Sequence, residues 1–261
     1  MPPLQYLAGL SLGALIGLSL GALGAGGSIL TVPILVYLMG LPVQVATSTS
    51  LAIVGLNAAV GAADHVRRGR ALPRTGVAFG LSGLLGALGG AWLNHQVRGD
   101  LILILFALLM VLAAISMLRR RATPPSGVAF RERYGLFGWG RLGLVGLGVG
   151  FLTGFFGIGG GFLIVPALVL ILALPMTLAV GTSLLAIALN ALWGVLGHLG
   201  FGAMDWGLTA LFVVGGIAGV VAGGKLAGRL PERMLRSAFA VLILGVAIYT
   251  FARSAAGLLV G

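Results

Sequence analysis

GIGGGFLIVPALVLILALPMTLAVGTSLLAIALNALWGVLGHLGFG, residues 157–202, decides the fold, because the chain carries this stretch twice. Shifted by 133 positions, it lies over residues 24–69, GAGGSILTVPILVYLMGLPVQVATSTSLAIVGLNAAVGAADHVRRG, with 20 identities in 46 positions and no gap. Many of the matches are Leu, Ala or Gly, which an apolar chain supplies by composition alone. The rarer matches carry the argument: Pro33/Pro166, Pro42/Pro175, Thr49-Ser50/Thr182-Ser183, Asn57/Asn190 and His65/His198. The chain is an internal duplication.

Outward from this stretch, the solvent of the protein is lipid. Hydrophobic residues make up 59% of the 261 residues, charged residues 8%, and the mean hydropathy is +1.14. A soluble domain carries about a quarter charged residues, so this chain cannot cover a water-facing surface. Only helices and closed barrels satisfy their backbone inside a bilayer. The blocks here are long and continuous, without the alternation of barrel strands, so the fold class is all-α and polytopic. Helical spans are expected at about 43–63, 76–95, 101–118, 178–200, 207–228 and 234–252, each near the 20 residues that cross a hydrocarbon core. Two further blocks, 4–38 and 142–173, are too long for one straight span, and glycine clusters interrupt both. The count is eight apolar blocks in two four-block repeats, 1–118 and 142–261. Between them, RRRATPPSGVAFRERYGLFGWGR (119–141) reads as a basic cytosolic linker.

The charges say how the repeats lie. There are 16 Lys and Arg against 5 Asp and Glu, a net charge of +11. The basic residues sit in short connections between apolar blocks, where the positive-inside rule places them, so they are topology signals and not a nucleic-acid surface. In the first half the loop after the second block holds Arg67, Arg68, Arg70 and Arg74, and the next loop is nearly neutral. In the second half the pattern swaps: Asp205 stands in the first loop, while Lys225, Arg229, Arg233 and Arg236 stand in the next. Cytosolic basic loops then require inverted repeats, with each broken block returning toward the side it entered as a pair of partial helices. Parallel repeats with eight plain crossings are the alternative. The first charged side chain is Asp64, which argues against a cleaved signal peptide.

The glycine clusters are the first site candidates: Gly24, Gly26, Gly27 and Ser28 in one copy, Gly157, Gly159, Gly160 and Gly161 in the other. Consecutive glycines let a helix break, and the freed backbone groups survive at membrane depth only where they line a cavity. A new helix starting there presents N–H donors and a partial positive charge, which suits an anion. Two clusters meeting near the midplane would form one anion site. The competing role is close helix packing. Thr49, Ser50 and Asn57, with Thr182, Ser183 and Asn190, share one face of the next span in each copy. They are candidates to hold substrate oxygens, or to tie helices together. His65 and His198 lie two turns further along, as candidates for a proton relay or as anchors at a helix end.

No acidic pair or metal-ligand spacing points to an enzyme, cysteine is absent, and no G-x-x-x-x-G-K-[ST] motif binds nucleotide. No cofactor, metal or nucleic-acid partner is expected; the partners are a small anionic substrate and the bilayer, and homo-oligomerisation is left open. Residues 157–206 and 24–61, with a Gly-rich break, V-P-x-L and a later T-S-L recurring in order, resemble the TauE/SafE family of sulfite exporters. The resemblance covers nearly the whole chain. It implies a permease of a bacterial or archaeal plasma membrane, carrying a small sulfur-containing anion such as sulfite or an organosulfonate. A secondary transporter is the expected mechanism; a channel-like facilitator and a non-transporting scaffold subunit are the alternatives. Ser28, where the second copy has Gly161, makes the two glycine sites unequal.

Overall fold

The computed structural model describes residues 3–94, 99–119, 136–156, 161–198 and 206–260. Ten α-helices run through the described residues: α1 (Pro3–Leu23), α2 (Gly26–Pro33), α3 (Val43–Arg67), α4 (Pro73–Asn94), α5 (Gly99–Arg119), α6 (Leu136–Phe156), α7 (Gly161–Pro166), α8 (Met176–His198), α9 (Trp206–Ala227) and α10 (Glu232–Val260). No strand occurs among these residues, so the all-α expectation holds. Eight of the helices have 21 to 29 residues. At 1.5 Å per residue each is about 31 Å or longer, the thickness of a hydrocarbon core. α9 is long and apolar enough to cross it. The other two, α2 and α7, are short.

The short helices end in the same way. Pro33 and Pro166 lack the N–H that a regular helix would use, and each helix loosens into a wider π-helical turn, Ile34–Leu38 and Ala167–Ile171. Met39 N–H then donates to Ile34 O (3.1 Å), and Leu172 N–H to Ala167 O (3.2 Å). Each turn closes on a residue of positive φ, Gly40 at +71° and Ala173 at +55°.

Close glycine contacts fix how the long helices run. A Cβ on Gly13, Gly17 or Gly21 would collide with the backbone of Phe212, Gly216 or Val220, so α1 and α9 are parallel and nearly touching. α4 and α6 are parallel in the same manner, with Gly86 against Leu147 and Gly90 against Phe151. These are the two most extensive helix contacts, and both join an element before residue 119 to one after 136. α3 runs parallel to α9, through Asn57 on Gly216 and His65 on Gly224, and antiparallel to α8, through Gly55 on Ala191 and His65 on Gly181. α4 runs parallel to α8. Hence α1, α3 and α9 point one way and α4, α6 and α8 the other.

α1 and α3 can point the same way only because α2 turns back between them. Gly26 and Gly27 fold α2 down onto Ser19, Ile16 and Leu20 of α1. Each broken block is therefore a full-length helix followed by a short return arm, where a pair of partial helices was expected. The arms touch each other inside the bundle, and every residue of α7 is buried. Short connections then place α5 and α10. Ten of the eleven described Lys and Arg residues fall at one face of the molecule, and only Arg253 lies at the other.

Candidate functional site

Gly24 ends α1 in a left-handed conformation, φ +79°, donating to Leu20 O at 2.8 Å. The Ser183 hydroxyl, from α8, donates to Gly24 O at 3.0 Å and to Val180 O at 2.8 Å. This clasp sits away from the middle of the bundle. Gly181, two residues from Ser183, packs on His65. His65 is eight residues beyond Asn57 along α3, about 12 Å at the helical rise. Gly24 thus lies toward the basic face, whereas a midplane position was expected. Gly26 and Gly27 are packing residues against α1, and Gly161 begins the buried α7. Gly157, Gly159 and Gly160 lie outside the described residues, as do the side chains of Ser28 and His198.

The hydroxyl pair of α8 ties helices together. Thr182 Oγ1 accepts from Leu72 N–H at 3.0 Å, holding the α3–α4 connection, and Ser183 holds the α1–α2 break. Thr49 and Ser50 are buried at the matching positions of α3. His65 is 2% exposed, and its Nδ1 donates to Gly61 O at 3.0 Å, one turn back in its own helix. Beside it Arg70 donates to Gly224 O at 3.3 Å, capping the end of α9. Asp64 pairs with Arg68 at 2.8 Å, and the carboxylate holds the exposed Arg68 guanidinium above its usual pKa.

The asparagines behave differently. Asn57 is 0% exposed, and neither its Nδ2 nor its Oδ1 has a hydrogen-bond partner. Asn190 is half-buried, and its Oδ1 is buried without a partner. Both lie level with the crossing of α3 and α8 at Gly55 and Ala191, the middle of the bundle. Each faces a glycine of a neighbouring helix: Asn57 faces Gly216 in close contact, and Asn190 faces Gly83 with 3.8 Å of room for a Cβ. An unpaired buried amide costs about 1–3 kcal/mol per polar group, and such groups are few in native structures. The two glycines did not figure among the sequence candidates, although Gly83 and Gly216 are 133 residues apart and so were detectable by the same shift.

The profile of one protein family matches residues 9–250, with the description sulfite exporter TauE/SafE. The chain belongs to this family. A probable membrane transporter protein of Xylella fastidiosa (strain 9a5c) is 39% identical to this TauE/SafE protein over 249 residues, covering 94% of this chain and 95% of its own. Bacillus subtilis YdhB, also named a probable membrane transporter protein, is 31% identical, covering 86% and 91%. A third, B. subtilis YunE, is 27% identical, covering 85% and 87%. No solved structure matches this TauE/SafE chain.

Proposed function

We propose that this protein is a secondary transporter for a small sulfur-containing anion, sulfite or a related sulfur oxyanion or organosulfonate. Membrane transport, as opposed to enzymatic chemistry, follows from the family and from the names of the relatives. The anion is our reading. It rests on the family description and on a bundle whose middle holds the polar amides Asn57 and Asn190, while the buried guanidinium of Arg236 belongs to the basic face. The carrying observation is the matched pair Asn57 and Asn190, one in each half at mid-depth, each keeping an amide atom buried and unpartnered. A chain that bears this cost twice in matched places is using the amides for something that is not always there.

The architecture that suits this reading is a pair of inverted repeats, 1–118 and 142–261, joined by the linker 119–141. The helix directions support it, since each element runs opposite to its counterpart 133 residues on. The gathering of basic residues at one face supports a cytosolic position for 64–75, 119–141 and 225–236 in a bacterial or archaeal plasma membrane. Without a nucleotide motif, the membrane potential or an ion gradient drives transport, and an inside-negative potential favours anion export.

The test is flux of sulfite, sulfate and short organosulfonates in proteoliposomes, for the natural chain and for Asn57→Leu and Asn190→Leu. Saturable flux of a sulfur anion, lost in both variants while the protein stays folded, is expected. Non-saturable flux would make the protein a channel-like facilitator. Undiminished flux in both variants would move the site elsewhere.

A further inference from the structure

The helix face of α3 opposite Asn57 opens on a groove that the transport reading does not use. It has a volume of about 740 Å³ and lies between α3 and α8, with Leu56, Ala59 and Val66 on one wall and Leu189 and Leu192 on the other. Its walls face outward: Leu56 is 52% and Leu192 54% exposed. Along α3 it runs from Leu51 to Arg67, sixteen residues or about 24 Å. One leaflet of a bilayer is about 15 Å of hydrocarbon, so the groove takes a whole acyl chain.

Its two ends are chemically unlike. Arg67 is the one charged residue among the lining residues, and it stands at the end that belongs to the basic face. The opposite end carries Trp206, 60% exposed. On the α4 side Val77 lines the groove, and Arg74 stands one turn before it on the same side of that helix, at the basic end. Asp64, three residues before Arg67 on α3, is engaged by Arg68. Two guanidiniums over an apolar slot match a phosphate over a hydrocarbon tail. Basic pockets of this kind between spanning helices recognise anionic headgroups.

We infer that the α3–α8 groove binds one anionic phospholipid of the leaflet at the basic face, with its acyl chain along Leu56, Ala59 and Leu192 and its phosphate between Arg67 and Arg74. The test uses the purified full chain in detergent, titrated with phosphatidylglycerol or phosphatidylcholine of identical acyl chains, and reads thermal stabilisation and bound lipid by native mass spectrometry. Phosphatidylglycerol should bind and stabilise more strongly than phosphatidylcholine. At about 1 kcal/mol for each basic residue near an anionic headgroup, Arg67→Gln should weaken phosphatidylglycerol about fivefold and phosphatidylcholine less, because choline offsets the charge of its phosphate. Arg67→Gln/Arg74→Gln should abolish the preference. Ala59→Trp, which fills the slot from an exposed position, should weaken both lipids. Equal binding of the two lipids, a preference that survives the double variant, or a dimer that Ala59→Trp dissociates would each overturn the inference.

Discussion

Glycines of α1 do one job and the glycine that ends it does another. Gly13, Gly17 and Gly21 keep ordinary helical backbone, and what they need is space, because the backbone of α9 lies where a Cβ would go. Gly24, three residues later, needs a left-handed φ of +79° and also faces the Ser183 hydroxyl, which a Cβ would approach to 2.6 Å. One stripe lets two helices from different halves close on each other; the last glycine turns the chain back as α2. The sequence shows both as the same letter. Only the neighbours tell packing from turning.

The comparison breaks most sharply at the stripe. Gly17→Leu and Gly150→Leu put a branched side chain into the backbone of Gly216 and Gly83, in the two most extensive helix contacts. Neither variant should accumulate as folded protein, which size-exclusion profiles in detergent would show. A folded, monodisperse Gly17→Leu would mean that α1 and α9 do not touch. Gly24→Ala should cost about 1–2 kcal/mol for the left-handed residue, plus the crowding against the Ser183 hydroxyl and the Val180 backbone, and lower the melting temperature while leaving the protein folded. Removal of the clasp itself is gentler: Ser183→Ala should cost about 1 kcal/mol, one hydrogen bond. At the matched turn the sign reverses. Ala173 holds φ +55° where the first half has Gly40 at +71°, so Ala173→Gly should stabilise by about 1 kcal/mol, read as a rise in melting temperature. The smallest effect belongs to His65→Gln. A ring held by the Gly61 carbonyl in a helix end serves as an anchor, so transport of an anion of fixed charge should keep its pH profile; a flattened profile would mark a proton relay instead.

Much of this was legible beforehand, and the reason is composition. A chain with 8% charged residues has no soluble fold available, and proline and glycine at matched positions announce where each half bends. The site was less legible. The shift of 133 continues beyond the quoted stretch through Gly13/Gly146, Gly17/Gly150, Gly83/Gly216, Gly86/Gly219 and Gly90/Gly223, but glycine matches weigh little in a chain with 46 of them. By helical spacing, Thr182 and Ser183 share one polar face with Asn190. The structure separates them: the hydroxyls hold a loop and a helix break, while the amides stay unpartnered. Hydroxyls can donate to a carbonyl within their own or a neighbouring helix at little cost, whereas an amide must find both a donor and an acceptor.

The sequence by itself determined the solvent, the helical secondary structure and the points at which the chain bends. These follow from local chemistry: apolar runs need lipid, proline removes a donor, glycine permits a turn. The tertiary structure alone decided that α1 closes on α9 and α4 on α6, that the glycine break lies toward the basic face, and that Asn57 and Asn190 share the middle depth. Those are relations between residues far apart in the chain, set by which backbones approach closely enough to exclude a Cβ, and no local pattern encodes a distance of that kind.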